Sequence, residues 1–240
     1  MKPLLFIILI FLSAPFAWPS EEKLVAAIFY VEPFGFKGQD GEVSGATSDI
    51  IKAIENKSDI RIEQILLPYK RMLALLETGE IDFSIFFRSK FSDTITESII
   101  PLYDLPTIVI GRKGTKITGY NDLYGMKLAT TLGVQYSSRL DDDKQLQVTY
   151  VRDYDGAIMR LQRKSVDAII SPEKILYYQL KKLGLKTDIL GEPYVLTTNT
   201  AWLQFSKHSK NKHYINSLKS SIQLLKEENK IDQVLDSYFH

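Results

Sequence analysis

From Leu24 to Phe86 the chain alternates short apolar runs with longer stretches of helical period, and few architectures tolerate that alternation. Leu24 to Tyr30 reads as a strand, and Ser48 to Ile60 as a helix with Thr47 or Ser48 as its cap and Ile50, Ile51 and Ile54 on one face. Arg61 to Leu66 is a second strand. Pro68 then opens a helix in which Tyr69, Met72, Leu73 and Leu76 share a face, Gly79 supplies its left-handed cap, and Ile81 to Phe86 returns as a strand. Strands joined by single helices need crossover connections, which gives an α/β fold with a mostly parallel sheet under helices.

The same device occurs twice. Met72 to Ile85 reads MLALLETGEIDFSI and Ile158 to Ile170 reads IMRLQRKSVDAII, so that Asp82 and Asp167 hold matching places after a helix and a polar break. Two lobes of similar design follow. Leu105 to Ile110 is a strand ending at Gly111, Met126 to Gly133 a second strand and loop, and Ala201 to Phe205 a strand after the polar stretch Thr197 to Thr200. The chain is expected to leave the first lobe near Gly111 and return near Thr198, so lobe one is 21–110 with 199–240 and lobe two is 111–198. Two crossings of this kind form a hinge. Tyr214, Leu218, Ile222 and Leu225 then repeat at helical spacing, Asn229 is a left-handed stop, and Ile231, Val234, Leu235 and Tyr238 begin a second helical stretch. Its mixed polar face makes this an element of the core rather than a membrane helix.

Before all this stands an apolar run of nine residues, Leu4 to Leu12, with Lys2 ahead of it and Ser13, Ala14 and Ala17 behind. That order is a secretory signal within residues 1–20, and the run is far shorter than the roughly 20 residues a membrane span needs. Lys2 leaves with it, so 29 basic residues face 29 acidic ones in the exported part. A neutral balance supplies no phosphate-neutralising surface, which argues against nucleic acid. The chain has no cysteine, which excludes disulfides, a thiol nucleophile and a lipid-anchoring cysteine. A soluble, periplasmic, monomeric protein is expected.

The residues do not call for a cofactor or metal. His208 and His213 are five apart, off a shared helical face, and with His240 they read as surface histidines. No nucleophile elbow is present, and Gly35, Gly38, Gly41 and Gly45 form a turn with no Lys-Ser/Thr pair behind them. The informative residues are aromatic. Tyr30, Phe34, Phe36, Tyr69, Phe86, Phe87 and Tyr136 fall at strand ends and helix starts, where open α/β sheets present ligand crevices. Arg88 directly follows an apolar strand, and a guanidinium there needs an anionic partner, either a protein carboxylate or a ligand.

The ordered set of motifs resembles the bacterial extracellular solute-binding proteins of family 3, the periplasmic receptors of polar amino acid ABC importers. The resemblance runs from about Lys23 to Phe239. It is carried by EPFGF at Glu32, GEVSGATSDIIKAI at Gly41, LPYKRMLALLETGEIDFSI at Leu67, YDLPTIVIGRKG at Tyr103, DLYGMKLATTLGVQYSS at Asp122, DYDGAIMRLQRKSVDAII at Asp153, and the ending NKIDQVLDSYF. It implies a two-lobed, type II periplasmic-binding-protein fold whose two crossover strands act as a hinge around a ligand cleft. Position by position it implies that Tyr30 or Phe34 covers the ligand and that Tyr69 lines the pocket. Phe86, Phe87 and Ser89 stand where hydroxyl and backbone groups bind a carboxylate, and the second-lobe loop from Thr131 through Gly133, Val134, Gln135, Tyr136 and Ser137 grips it through a helix N-terminus.

Two family signatures are replaced. The usual arginine has no counterpart in KFSDT from Lys90, leaving Arg88 as its substitute, and Ser171 and Pro172 stand where an acid takes the ligand ammonium, with Glu173 one step beyond. These departures point to a solute that is flatter or less charged than an ordinary amino acid, or that carries one anionic group. The resulting expectation is a binding protein that closes around a small amino acid, amino-acid derivative or organic acid and presents it to an ABC permease or a membrane sensor. A dehydratase of the cyclohexadienyl type on the same fold is the alternative, with Glu173 as its general acid.

Overall fold

The computed structural model describes residues 23–132 and 134–239. The expected signal segment, Gly133 and His240 lie outside the described residues. The elements are, in order, β1 (Leu24–Phe29), β2 (Phe36–Lys37), β3 (Val43–Ser44), α1 (Ala46–Ser58), β4 (Ile62–Leu67), α2 (Tyr69–Thr78), β5 (Phe83–Phe87), α3 (Ser92–Ile95), β6 (Thr96–Gly111), β7 (Lys127–Thr131), α4 (Ser138–Asp141), β8 (Gln147–Val151), α5 (Tyr154–Gln162), β9 (Ala168–Pro172), α6 (Glu173–Lys182), β10 (Tyr194–Ser206), α7 (Ile215–Glu227) and α8 (Lys230–Phe239).

One sheet of eight strands runs β4-β1-β5-β10-β6-β9-β7-β8. Its ends are two parallel triplets, β4-β1-β5 and β8-β7-β9, each with its first strand in the middle. The antiparallel strands β10 and β6 join them. The duplicated motif therefore corresponds to a duplicated topology, and the two aspartates do the same work. Asp82 Oδ2 accepts the Val25 amide at 2.7 Å while its own amide donates to the Val25 carbonyl. Asp167 Oδ2 accepts the Lys127 amide at 2.8 Å, again with its own amide on the Lys127 carbonyl. Each carboxylate pins the start of the central strand of its triplet to the strand that follows the helix.

The core follows the same division. Leu24, Ile28, Ile50, Ile54, Phe83 and Phe205 pack with α7 and α8 on one face of the first triplet, and Met72, Leu76 and Ile81 on the other. In the second half, successive residues alternate across the sheet: Ile108 and Ile169 join one cluster, Val109 and Ile170 the other. Along β6, Leu105 still belongs to the first core and Ile108 to the second.

Local expectations fared unevenly. Gly79 ends α2 at φ 76°, and Asn229 separates α7 from α8 at φ 55°, both left-handed as expected. Leu218, Ile222, Leu225, Ile231 and Leu235 are buried in the first core. The cap of α1 is Gly45, not Thr47 or Ser48. Both residues already sit in the first turn, where the amides of Ala46 and Thr47 donate to the carbonyls of Pro33 and Phe34 at 2.9 Å each, and the Ser48 hydroxyl donates to the Val43 carbonyl. The strand expected over Ala201 to Phe205 starts earlier, at Tyr194, and the polar stretch Thr197 to Thr200 is the middle of β10, paired with β6 from Thr107 to Asp104. Side chains half-exposed along this stretch leave little reason for apolar residues, and threonine suits a strand without them.

Candidate functional site

In open α/β sheets the carboxyl ends of parallel strands face a common crevice. Here the ends of both triplets face the same one. The residues after β1, β4 and β5 meet those after β7, β8 and β9 around a cleft of about 540 Å³, within the range of small-molecule sites.

The first half supplies an aromatic wall. The rings of Phe29 and Tyr69 meet edge to face at 5.3 Å, and those of Tyr69 and Phe86 at 6.1 Å. Phe34 stacks on Tyr103 at 5.9 Å with an interplanar angle of 11°. Tyr69 stands at the start of α2 because Pro68 is extended and sets the helix entry. Burial pushes its hydroxyl up to about 12 and also raises those of Tyr103 and Tyr154, so the wall offers neutral hydroxyls and no phenolate at physiological pH. Tyr30, Phe87, Arg88 and Ser89 complete this side.

Arg88 has found its carboxylate within the protein. Its Nε and Nη2 fork onto Asp93 at 3.1 and 3.0 Å, and the guanidinium lies 5.7 Å from the Trp202 ring. The Ser89 hydroxyl is committed too, accepting the Ser92 amide at 3.0 Å in the turn that starts α3.

From the second half, Thr131, Val134 and Gln135 line the cleft, and four of the expected residues do not. Tyr136 is buried, its hydroxyl 2.9 Å from that of Thr130 and 3.2 Å from that of Tyr154. Ser137 caps α4, accepting the Leu140 amide. The amides of Tyr136 and Ser137, which were expected to grip a ligand carboxylate, both donate to Asp141 Oδ2 at 3.0 Å, so a carboxylate of the chain itself takes that place. Ser171 is fully buried in β9 with its hydroxyl on the Pro172 carbonyl, and Glu173 begins α6 away from the cleft.

Sequence reasoning missed the polar corner where α5 and α6 reach the cleft. Arg152, Asp153 and Asp155 follow β8, and Gln179 and Lys182 come from the last turns of α6. Glu32, from the loop after β1, joins the corner across the cleft: its carboxylate meets Lys182 Nζ at 2.5 Å and its carbonyl accepts Gln179 Nε2 at 3.4 Å. The Asp153 carboxylate is spent on capping α5, accepting the Gly156 amide at 2.8 Å. Burial raises the Asp155 carboxyl above its usual range, opposed by nearby Lys182 and reinforced by Asp153 and Glu32.

A family model for bacterial extracellular solute-binding proteins, family 3, matches residues 25–240. YxeM of Bacillus subtilis (strain 168), provisionally named an amino-acid-binding protein, is 22% identical over 87% of this chain and 80% of its own. PatH of Vibrio harveyi, provisionally named an amino-acid ABC transporter-binding protein, is 30% identical over 71% of this chain and 69% of its own. Among solved structures, a histidine kinase sensor domain with similarity to periplasmic binding proteins superposes with a TM-score of 0.76 at 14% identity, covering 91% of this chain and 96% of that one.

Proposed function

The chain belongs to the bacterial extracellular solute-binding proteins of family 3, and on that premise we propose that it is an exported, monomeric receptor for a small solute of amino-acid type. It hands the solute to an ABC permease and has no covalent chemistry of its own. The observation that carries this reading is the 540 Å³ cleft, lined by strand ends of both triplets and walled by neutral aromatic rings. We place the crossings between the lobes where the core changes hands along β6, between Leu105 and Ile108, and opposite them at Thr197 to Thr200 of β10. On β6 that is a few residues before Gly111, where the sequence suggested the chain leaves the first lobe, and on β10 it is the stretch around Thr198 that the sequence suggested for the return. Ligand contacts from both halves exist together only when the cleft is shut, so binding shifts the population toward the closed form. The expected acid for a dehydratase, Glu173, stands off the cleft.

A thermal-shift screen over amino acids, organic acids and aromatic metabolites tests the reading. A specific solute at 100 times its dissociation constant adds about 2.7 kcal/mol, a rise in midpoint of about 5–10 °C for a chain of this size. Tyr69→Ala removes the ring shared by both edge-to-face pairs and is expected to weaken such a solute by ~30-fold, about 2 kcal/mol. No response across the library, or a Tyr69→Ala protein that binds as well as its parent, would count against this cleft as the site.

A further inference from the structure

We infer that Glu32 and Lys182 are positioning residues for solute binding: their ion pair is a clasp across the cleft that acts on the solute through closure alone and sets how slowly it leaves. The inference rests on the solute-binding reading and names the contact that decides retention in it.

Ion pairs join the first half of the chain to the second at several places. Glu32 meets Lys182 at 2.5 Å, Lys174 meets Asp236 at 3.6 Å and Lys90 meets Asp142 at 3.8 Å. Their bearing on closure differs. The Lys90 and Asp142 side chains are 88% and 71% exposed, and a pair so long and so open to water contributes almost nothing. Lys174 stands two residues past Pro172, which pairs with Thr107 on β6 beside the crossing, so its pair hardly moves when the halves part. Lys182 lies about 12 Å further along α6, at roughly 1.5 Å per residue, and opening must carry it away from Glu32. Its side chain is 45% exposed and that of Glu32 32%, which shields this pair better than the one at Lys90. The Glu32 hydrogen bond is also the chief cause that raises the Lys182 ammonium above its usual range.

Neither end of this clasp can follow the other when the cleft opens. The loop that bears Glu32 is tied to the first half: Phe34 stacks on Tyr103 and lies 5.5 Å from Phe239, and the carbonyls of Pro33 and Phe34 take the first amides of α1. Lys182 ends a helix whose Ile175, Leu176 and Leu180 are buried. Opening therefore breaks the pair instead of stretching the loop. The loop bearing Glu32 also carries Tyr30 and Phe34 into the cleft, so while the clasp holds, the rings that cover the solute stay over it. Departure has to wait for the clasp to open, whereas entry takes place through the open form, in which the clasp is already broken. The pair therefore acts on the rate of dissociation and leaves association nearly unchanged.

The test reads closure in the full chain, first with no solute added. The sequence has no cysteine, so Lys70→Cys on α2 and Ser138→Cys on α4, both exposed, take spin labels at two places only, one on each half. In their distance distribution Lys182→Met is expected to shift the closed-to-open ratio about 3–10-fold toward open. Lys182→Glu, which gathers an acid beside Glu32, Asp153 and Asp155, is expected to shift it further. Exchanging the charges, Glu32→Lys with Lys182→Glu, is expected to return it to within about threefold of the parent, short of full rescue because an acid then ends α6. For a solute found by thermal shift, Lys182→Met is expected to speed dissociation about 3–10-fold with association within about twofold, and about 0.5 M sodium chloride to do the same to the parent and not to the variant. Lys90→Met is expected to move neither reading. Distances unmoved by either Lys182 variant, or an exchanged pair no better than Lys182→Glu alone, would overturn the inference and leave the solute-binding reading intact. Affinity lost in Lys182→Met with unmoved solute-free distances would make Lys182 a direct solute contact and overturn it equally. A screen in which nothing responds would remove the solute-binding reading and this role with it, while the distances still report whether the clasp holds.

Discussion

Asp82→Ala is expected to lower the unfolding free energy by about 3–5 kcal/mol, and Asp167→Ala by only about 1–2 kcal/mol, although the two residues occupy the same place in the duplicated design. The difference comes from burial and partners. Asp82 is 5% exposed and accepts three donors: the Val25 amide at 2.7 Å, the Ser209 hydroxyl at 2.6 Å and the Asn211 side-chain amide at 3.1 Å. Removing the carboxylate strands all three, and each buried donor left unsatisfied costs about 1–3 kcal/mol. Asp167 serves the Lys127 amide and faces Arg112 at 3.6 Å, with a side chain 42% exposed, so water replaces much of what is lost. Urea denaturation of both variants measures the contrast. Equal losses would show that the twin positions are set by strand pairing alone and that the tie from Asp82 to the turn after β10 contributes nothing.

Much of the fold could be read because its signals are local. Apolar runs, helical stripes and the left-handed positions at Gly79 and Asn229 depend on neighbours in sequence, and the doubled helix-break-Asp motif already implied two copies of one unit. What escaped was set by distant contacts. The α1 cap is the backbone of the loop after β1, an arrangement that leaves no capping side chain to find. The aromatic side of the cleft was legible since strand ends carry their residues to the crevice whatever the details. The polar corner was not: Gln179 and Lys182 belong to α6, whose Ile175, Leu176, Gln179 and Leu180 do bury one face at helical spacing, and that stripe was the overlooked signal. Arg88 could be assigned a need for an anionic partner, protein carboxylate or ligand, but only the turn into α3 decides that Asp93 meets it. The loop from Thr131 to Ser137 is the sharpest case, since a carboxylate four residues on, Asp141, satisfies the amides that looked free in sequence.

Gly45→Ala is expected to cost about 3–5 kcal/mol and to abolish the solute response along with it, because this glycine joins the first helix to the cleft. Its φ of 119° and ψ of 170° lie in a region essentially reserved for glycine. A methyl group there would stand 2.5 Å from the Phe34 carbonyl oxygen and 2.7 Å from that of Pro33. Those two carbonyls accept the Thr47 and Ala46 amides that begin α1, so relieving the clash means giving up the helix's first bonds. The loop that would have to move carries Glu32, which meets Lys182 across the cleft, and Phe34, which stacks on Tyr103. Gly125→Ala is the matching control: its φ is also positive, at 81°, but nothing lies within 4 Å of an added methyl, and the cost is expected to stay near about 1 kcal/mol. Denaturant midpoints for the two variants, read beside their thermal-shift responses, separate backbone strain from the collision with the loop. A Gly45→Ala protein no less stable than Gly125→Ala would mean that the loop after β1 yields freely, and the aromatic wall could not then be the rigid side of the site.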